Sequence, residues 1–102
     1  MEYNQGDILK IDGLSDKLFI IVSTNAFIKA TGAFHVCPFL SNIPEGPLHI
    51  SVRGKNNTFG TVICEQIKLI DPSNRNCNKY DYISYEDLMN ISDTIQGIFE
   101  YD

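Results

Sequence analysis

The sequence predicts a mainly β protein, a small antiparallel barrel or curled sheet closed off by a C-terminal helix. Three observations point there. Short runs of apolar or alternating residues recur along the chain, separated by turn-forming residues. These runs do not alternate with helical segments, which disfavours a parallel sheet. After Ser84 the apolar residues switch to helical spacing.

Taken in order, Gln5-Gly6-Asp7 is a turn leading into a first strand, Ile8-Leu9-Lys10-Ile11. Asp12-Gly13 is a strong turn signal, and residues 13 to 16 read as a short loop. Leu18-Phe19-Ile20-Ile21-Val22 is continuously apolar and β-branched, as in a strand buried on both faces. Ser23 to Thr31 reads as irregular. Phe34, Val36 and Cys37 suit a third strand, with Pro38 placing its end near an edge or bulge. Ser41 to Pro47 is a loop with two prolines and a glycine. Leu48 to Val52 alternates at period two, as a half-exposed strand does.

Arg53 to Asn57 is a polar, basic tip. Thr58 to Asp71 is the longest apolar-rich stretch, read as one long strand or two joined by a bend. Its Glu65-Gln66 pair is costly in a buried strand unless it serves a turn or lines a groove. Asp71-Pro72 stops the run, Ser73 to Lys79 reads as a loop, and Tyr80 to Ile83 as a last short strand. Ser84, three residues before Asp87, resembles a helix cap. Leu88, Ile91, Ile95, Ile98 and Phe99 then form one apolar stripe, read as core packing.

The 102 residues are expected to form one domain, 1-102, with an ordinary globular composition: 43% hydrophobic and 21% charged. No apolar run approaches the ~20 residues needed to span a bilayer. The first residues show no signal-like apolar core, so a cytoplasmic protein is expected, with no membrane association. Cys37, Cys64 and Cys77 are odd in number and form no C-x-x-C, which argues for reduced thiols rather than a disulfide framework or a metal site. The net charge of −5 is unusual for a nucleic-acid binder. Yet Tyr80 to Asp102 holds six acids and no Lys or Arg, so the rest of the chain stands near +1, with a local basic patch at Arg53 and Lys55.

Standard catalytic motifs are missing: no glycine-rich phosphate loop, no G-x-S-x-G and no H-E-x-x-H. Of the two histidines, His49 is expected to face solvent, and His35 lies on the opposite phase between Phe34 and Val36. What remains near strand ends is Lys17, Ser41, Asn42, Glu65 and Gln66. Such a set suits a metal-free reaction needing no cofactor, such as RNA cleavage by its own 2′-hydroxyl. That reaction needs a base, an acid and a cation or donors for the charged phosphorane. Glu65 would be the base, Lys17 the cation and Ser41 a phosphate donor. Residue types alone favour the plainer alternative: a surface lysine, a loop serine and a glutamate paired inside the protein.

The order of segments resembles the MazF/PemK (Kid) toxins of bacterial type II toxin–antitoxin modules, from Gln5 almost to the end. Gln5-Gly6-Asp7-Ile8 is similar to the family's R-G-D/E-I/V opening, and Leu18 to Ser23 sits where it has R-P-x-L-V/I-V/I. Asn25-Ala26-Phe27, followed by Val36 to Ser41, resembles its A-F-N … V-x-P segment. Gly60 to Asp71, GTVICEQIKLID, resembles the strand ending D/E-Q-x-R/K-x-I/L-D, with Arg75 where an arginine often follows.

The resemblance implies an SH3-like antiparallel barrel, shared with CcdB, with a C-terminal helix. It implies a homodimeric toxin: a metal-independent, sequence-selective endoribonuclease acting on single-stranded RNA and inhibiting growth, restrained by an antitoxin partner. The expected catalytic residues are Glu65, Lys17 and Ser41. Gln66, Asn42, Arg53, Lys55 and His49 are the expected RNA contacts, with Ser41 to Pro47 and Arg53 to Asn57 as contact loops. The chain departs from the family pattern where Lys17 replaces the catalytic arginine, Leu40 replaces the threonine, and Ile63 takes the arginine position of R-C-D-Q. A second function therefore stands beside the first, a non-catalytic or gyrase-poisoning, protein-binding toxin on the same scaffold.

Overall fold

The structure, a computed structural model, describes residues 2–14 and 16–100. Ser15, inside the loop expected over residues 13 to 16, lies outside the described residues. Seven strands form one antiparallel sheet: β1 (Asp7–Ile11), β2 (Leu18–Ile21), β3 (Phe34–Leu40), β4 (His49–Arg53), β5 (Phe59–Ile63), β6 (Lys68–Ile70) and β7 (Cys77–Tyr82). The order across the sheet is β4-β5-β3-β2-β1-β7, with β6 also paired to β3. Among the described residues there are also two helices, α1 (Asn25–Thr31) and α2 (Tyr85–Ile98), and a 3-10 turn at Pro72–Asn74.

The long stretch is two strands joined by a bend. β5 pairs with the far half of β3 through Phe39↔Val62 and Leu40↔Thr61. β6 pairs with the near half through Phe34↔Ile70, His35↔Leu69 and Val36↔Lys68. The chain turns between them, with the Gln66 amide bonded to the Ile63 carbonyl at 3.2 Å. This bend also accounts for Pro38. The residue was expected near a strand end, yet it lies inside β3 and pairs with Phe19. On its other side neither β5 nor β6 supplies a ladder partner at residue 38, so the missing N–H costs little there.

Three other expectations change. Ser23 to Thr31 is not irregular. Thr24 caps α1 by accepting from the Phe27 amide at 3.1 Å, and Gly32, at φ 74°, stops it in the left-handed region. A seven-residue helix is too short to show a clear apolar period, which hides it in the sequence. β7 starts at Cys77 rather than Tyr80, because β1 pairs with it as far as Ile11↔Cys77. Phe99 leaves the helical stripe: α2 ends at Ile98, and Phe99 is 72% exposed. The expected Ser84 cap is present, accepting from the Asp87 amide at 3.2 Å.

Apolar side chains pack on both faces of the curled sheet. Ile8, Ile20, Cys37, Phe39, Val62 and Cys64 form one cluster, covered by Leu88, Ile91 and Ile95 of α2. Leu9, Phe19, Ile21, Phe34 and Val36 form the other, bordered by Tyr3, Leu14 and Ile28. The three cysteines are buried and unbridged.

The two ends of the sheet, β4 and β7, are not a paired ladder. A seam joins them instead. The Lys55 amide donates to the Tyr82 carbonyl at 2.9 Å. The buried carboxylate of Asp81 accepts from the amides of Asn56 and Thr58. The basic tip is thus seated against β7 by its backbone.

Candidate active-site groove

The alternation of the strands assembles one polar face. Register places Lys17 and Phe19 of the β2 side, Pro38 and Leu40 of β3, Thr61 and Ile63 of β5, and Ser51 and His49 of β4 on the same side of the sheet. Glu65 and Gln66 join them where the chain bends after β5.

Lys17, Glu65, Gln66 and Lys68 line a groove of about 350 Å³ floored by Phe19, Val36 and Pro38. Lys17 also lines an adjoining groove of about 370 Å³ with Leu40, Ser41 and the exposed ring of Phe59. Lys17 therefore stands between Glu65 on one side and Ser41 on the other. Ser41 does not line the Glu65 groove.

On its other flank Glu65 meets His49. Nε2 of His49 lies 3.1 Å from Oε2 of Glu65. His49 does not simply face solvent, as alternation suggested. Its side chain is about one-third exposed at 32%, and its backbone makes a two-way bridge with Gly46 at 3.1 and 3.2 Å. The Glu65 carboxyl is held below its usual range, by its own backbone amide first and by the His49 ring second. Burial pushes the neighbouring Cys37 and Cys64 thiols up, to about 12 and about 11, so neither is a reactive thiolate near neutral pH.

The other expected contacts divide. Gln66 is in the groove with Glu65. Arg53 lies at the β4 edge, its guanidinium 5.3 Å from the centre of the Phe59 ring that borders the Ser41 groove. Lys55 is on the tip seated against Tyr82, and Asn42, at φ 62°, turns the chain out of β3. Lys55, Asn42, Arg53 and His49 line neither groove; Arg53 reaches them only through Phe59, and His49 only through Glu65. Three further residues at or near the grooves escape a reading of the sequence. Lys68 enters the groove because β6 bends back along β3. Phe59 was read only as part of a strand. Thr61 pairs directly with Leu40, where the family pattern has its threonine. Its hydroxyl is already engaged, donating to the Ile43 carbonyl at 3.0 Å and lying 3.0 Å from Ser51 Oγ.

His35 belongs to a different, structural arrangement: Nδ1 lies 2.8 Å from Ser23 Oγ, and its ring is tilted against Phe27 with centroids 5.0 Å apart. Among the described residues, no three His, Cys, Asp or Glu side chains gather as a metal-holding group. No helix among them is long and apolar enough to cross a membrane.

The sequence profile of the PemK-like, MazF-like toxins of type II toxin–antitoxin systems matches residues 5–99. The chain belongs to this family. No curated relative matches the sequence. Solved structures give the fold independently. MazF in the MazE–MazF complex of Deinococcus radiodurans is similar over 96% of both chains, with TM-score 0.82 at 14% identity. An endoribonuclease in complex with its cognate antitoxin from mycobacterial species covers 99% of this chain and 100% of its own, with TM-score 0.78 at 15% identity. A further mycobacterial endoribonuclease covers 94% of this chain and 88% of its own, with TM-score 0.74 at 18% identity. The PemK/MazF scaffold of this chain is thus a curled antiparallel sheet with its polar groove at the β5–β6 bend.

Proposed function

We propose that the chain is the toxin of a type II module and cleaves single-stranded RNA by metal-independent attack of the 2′-hydroxyl. One observation carries the reading: Lys17 lines both the groove holding Glu65 and Gln66 and the groove holding Ser41. A phosphate lodged at Lys17 has a carboxylate–imidazole pair on one side and a hydroxyl donor on the other. Lys17 stabilises the charge of the phosphorane, Ser41 donates to a phosphate oxygen, and the Glu65–His49 pair does the proton transfer. Gln66 and Arg53, beside Phe59, contact the strand of RNA. Asn42 and Lys55 are left out of this reading, since among the described residues no contact ties either side chain to a groove-lining residue, as Arg53 is tied to Phe59 and His49 to Glu65.

Cleavage in the related structures supports the reaction class, and their antitoxin complexes support an antitoxin partner for this chain. The same relationship supports a cytoplasmic homodimer in which residues 1-102 are one toxin domain.

The test is direct. Purified protein incubated with a mixed single-stranded RNA pool and excess EDTA should yield discrete fragments. Glu65→Gln should slow the reaction at least about tenfold. An intact pool would overturn the reading in favour of a protein-binding toxin.

A further inference from the structure

We propose that His49 is the proton-transfer group of the cleavage reaction and that Glu65 is its positioning residue. This rests on the RNA-cleaving reading above and reassigns its chemistry, since the residue types had made Glu65 the base.

The geometry is that of an oriented imidazole. Glu65 Oε2 accepts from His49 Nε2 across 3.1 Å. With Nε2 carrying the proton, the lone pair of the neutral ring stands on Nδ1. Among the described residues no hydrogen bond engages Nδ1, and the side chain keeps 32% of its surface open. The ring is also anchored. His49 pairs with Ile63 in the sheet and bridges back to Gly46 through both backbone groups. Glu65 is fixed in turn by the bend. A carboxylate that holds one face of an imidazole sets its tautomer and steadies the imidazolium that forms on proton uptake.

The chemistry favours the ring over the carboxylate. Histidine is the side chain most often used for proton transfer in catalysis, and this one is held in a fixed orientation with one ring nitrogen open. A carboxylate held below its usual range is a poorer base, and here the ring itself contributes to holding it there. In the step, Nδ1 takes the proton of the 2′-hydroxyl as that oxygen bonds to phosphorus. The bond from phosphorus to the 5′-oxygen breaks, the departing oxygen takes a proton from a water molecule, and the imidazolium returns its proton to the hydroxide so formed, which restores the neutral ring. The products are a 2′,3′-cyclic phosphate and a 5′-hydroxyl, with no redox change.

The experiment uses the full chain and a single-stranded RNA oligonucleotide that wild type cleaves. His49→Ala should lower kcat at least about 100-fold with KM nearly unchanged, and added imidazole should restore about tenfold or more. His49→Gln, which keeps the ring's bulk more closely, should show the same loss while melting with wild type. Glu65→Gln should slow wild type at least about tenfold but the His49→Ala protein less than about twofold, because a positioning residue acts through the ring it holds. Glu65→Gln costing as much in His49→Ala as in wild type, together with no imidazole rescue, would overturn the assignment while leaving RNA cleavage standing. A wild type that cuts no RNA would remove both.

Discussion

The backbone amide of Asn56 donates to both carboxylate oxygens of Asp81, at 2.9 and 3.1 Å. Asp81 also accepts from Thr58 at 3.1 Å and from the Tyr82 amide at 2.8 Å. A single buried side chain therefore joins the two ends of a sheet that has no strand ladder there. Asp81→Asn presents an amide N–H₂ to donors and should cost about 2–4 kcal/mol, read from urea unfolding at neutral pH.

The same carboxylate makes stability pH-dependent. Burial raises its pKa, but the amides of Asn56, Tyr82 and Thr58 outweigh burial and hold it below the usual value. A pKa lower in the folded than in the unfolded state favours folding above the ordinary carboxylate range, and the gain is lost as pH falls through the folded value. Wild type should lose stability on acidification below about pH 4, and Asp81→Asn should lose measurably less over the same interval. Equal slopes for the two proteins would place the acid sensitivity elsewhere.

Gly54 tests the closeness of this seam. A Cβ at this position would overlap Asp81 Oδ2. That oxygen is tied down by two amides, so it cannot swing aside cheaply. Gly54→Ala should destabilise by about 2 kcal/mol or more. In an Asp81→Ala background the obstructing atom is gone, and the added cost of Gly54→Ala should shrink by at least half. Purely additive losses would mean that the alanine is excluded for another reason.

The strands, the bend and the capped C-terminal helix were legible because period, turn residues and the Ser84 cap agree locally. α1 was not, because Thr24 and Gly32 bracket too few residues to show an apolar repeat. Pro38 misled because its tolerance depends on β5 and β6 parting opposite it, a non-local fact. At the site, Glu65, Gln66, Lys17 and Ser41 could be picked out as polar residues at strand ends. That His49 leans on Glu65 could not, since their approach depends on β4 running alongside β5 past Ile63. Thr61 was invisible for the same reason: only the register sets it against Leu40.

Thr61 should prove structural. Its buried hydroxyl joins the Ile43 carbonyl and Ser51, pinning the loop that follows β3 to the sheet. Thr61→Val keeps the shape and removes both bonds, leaving the Ile43 carbonyl without this donor. The expected loss is about 1–3 kcal/mol, seen in thermal melting, with faster amide exchange across residues 41 to 48 under native conditions. RNA cleavage per folded molecule should change far less than in Lys17→Ala.

Lys17 decides whether the two grooves work as one site. It stands where the family pattern carries an arginine, and it lines the walls of both grooves. An ammonium offers a point charge to a phosphate, whereas a guanidinium offers two parallel donors in a fixed fork. Lys17→Ala should lower kcat/KM for RNA cleavage about 100- to 1,000-fold, the scale of removing one donor from a developing negative charge. Lys17→Arg should match or exceed wild type, because the fork fits the phosphorane better and the groove opens onto solvent with room for the longer head. Single-turnover cleavage at saturating RNA separates this from tighter binding: the gain should appear in the rate constant. If Lys17→Ala cleaves within about threefold of wild type, the phosphate does not sit at Lys17, and Ser41 and Glu65 belong to separate sites.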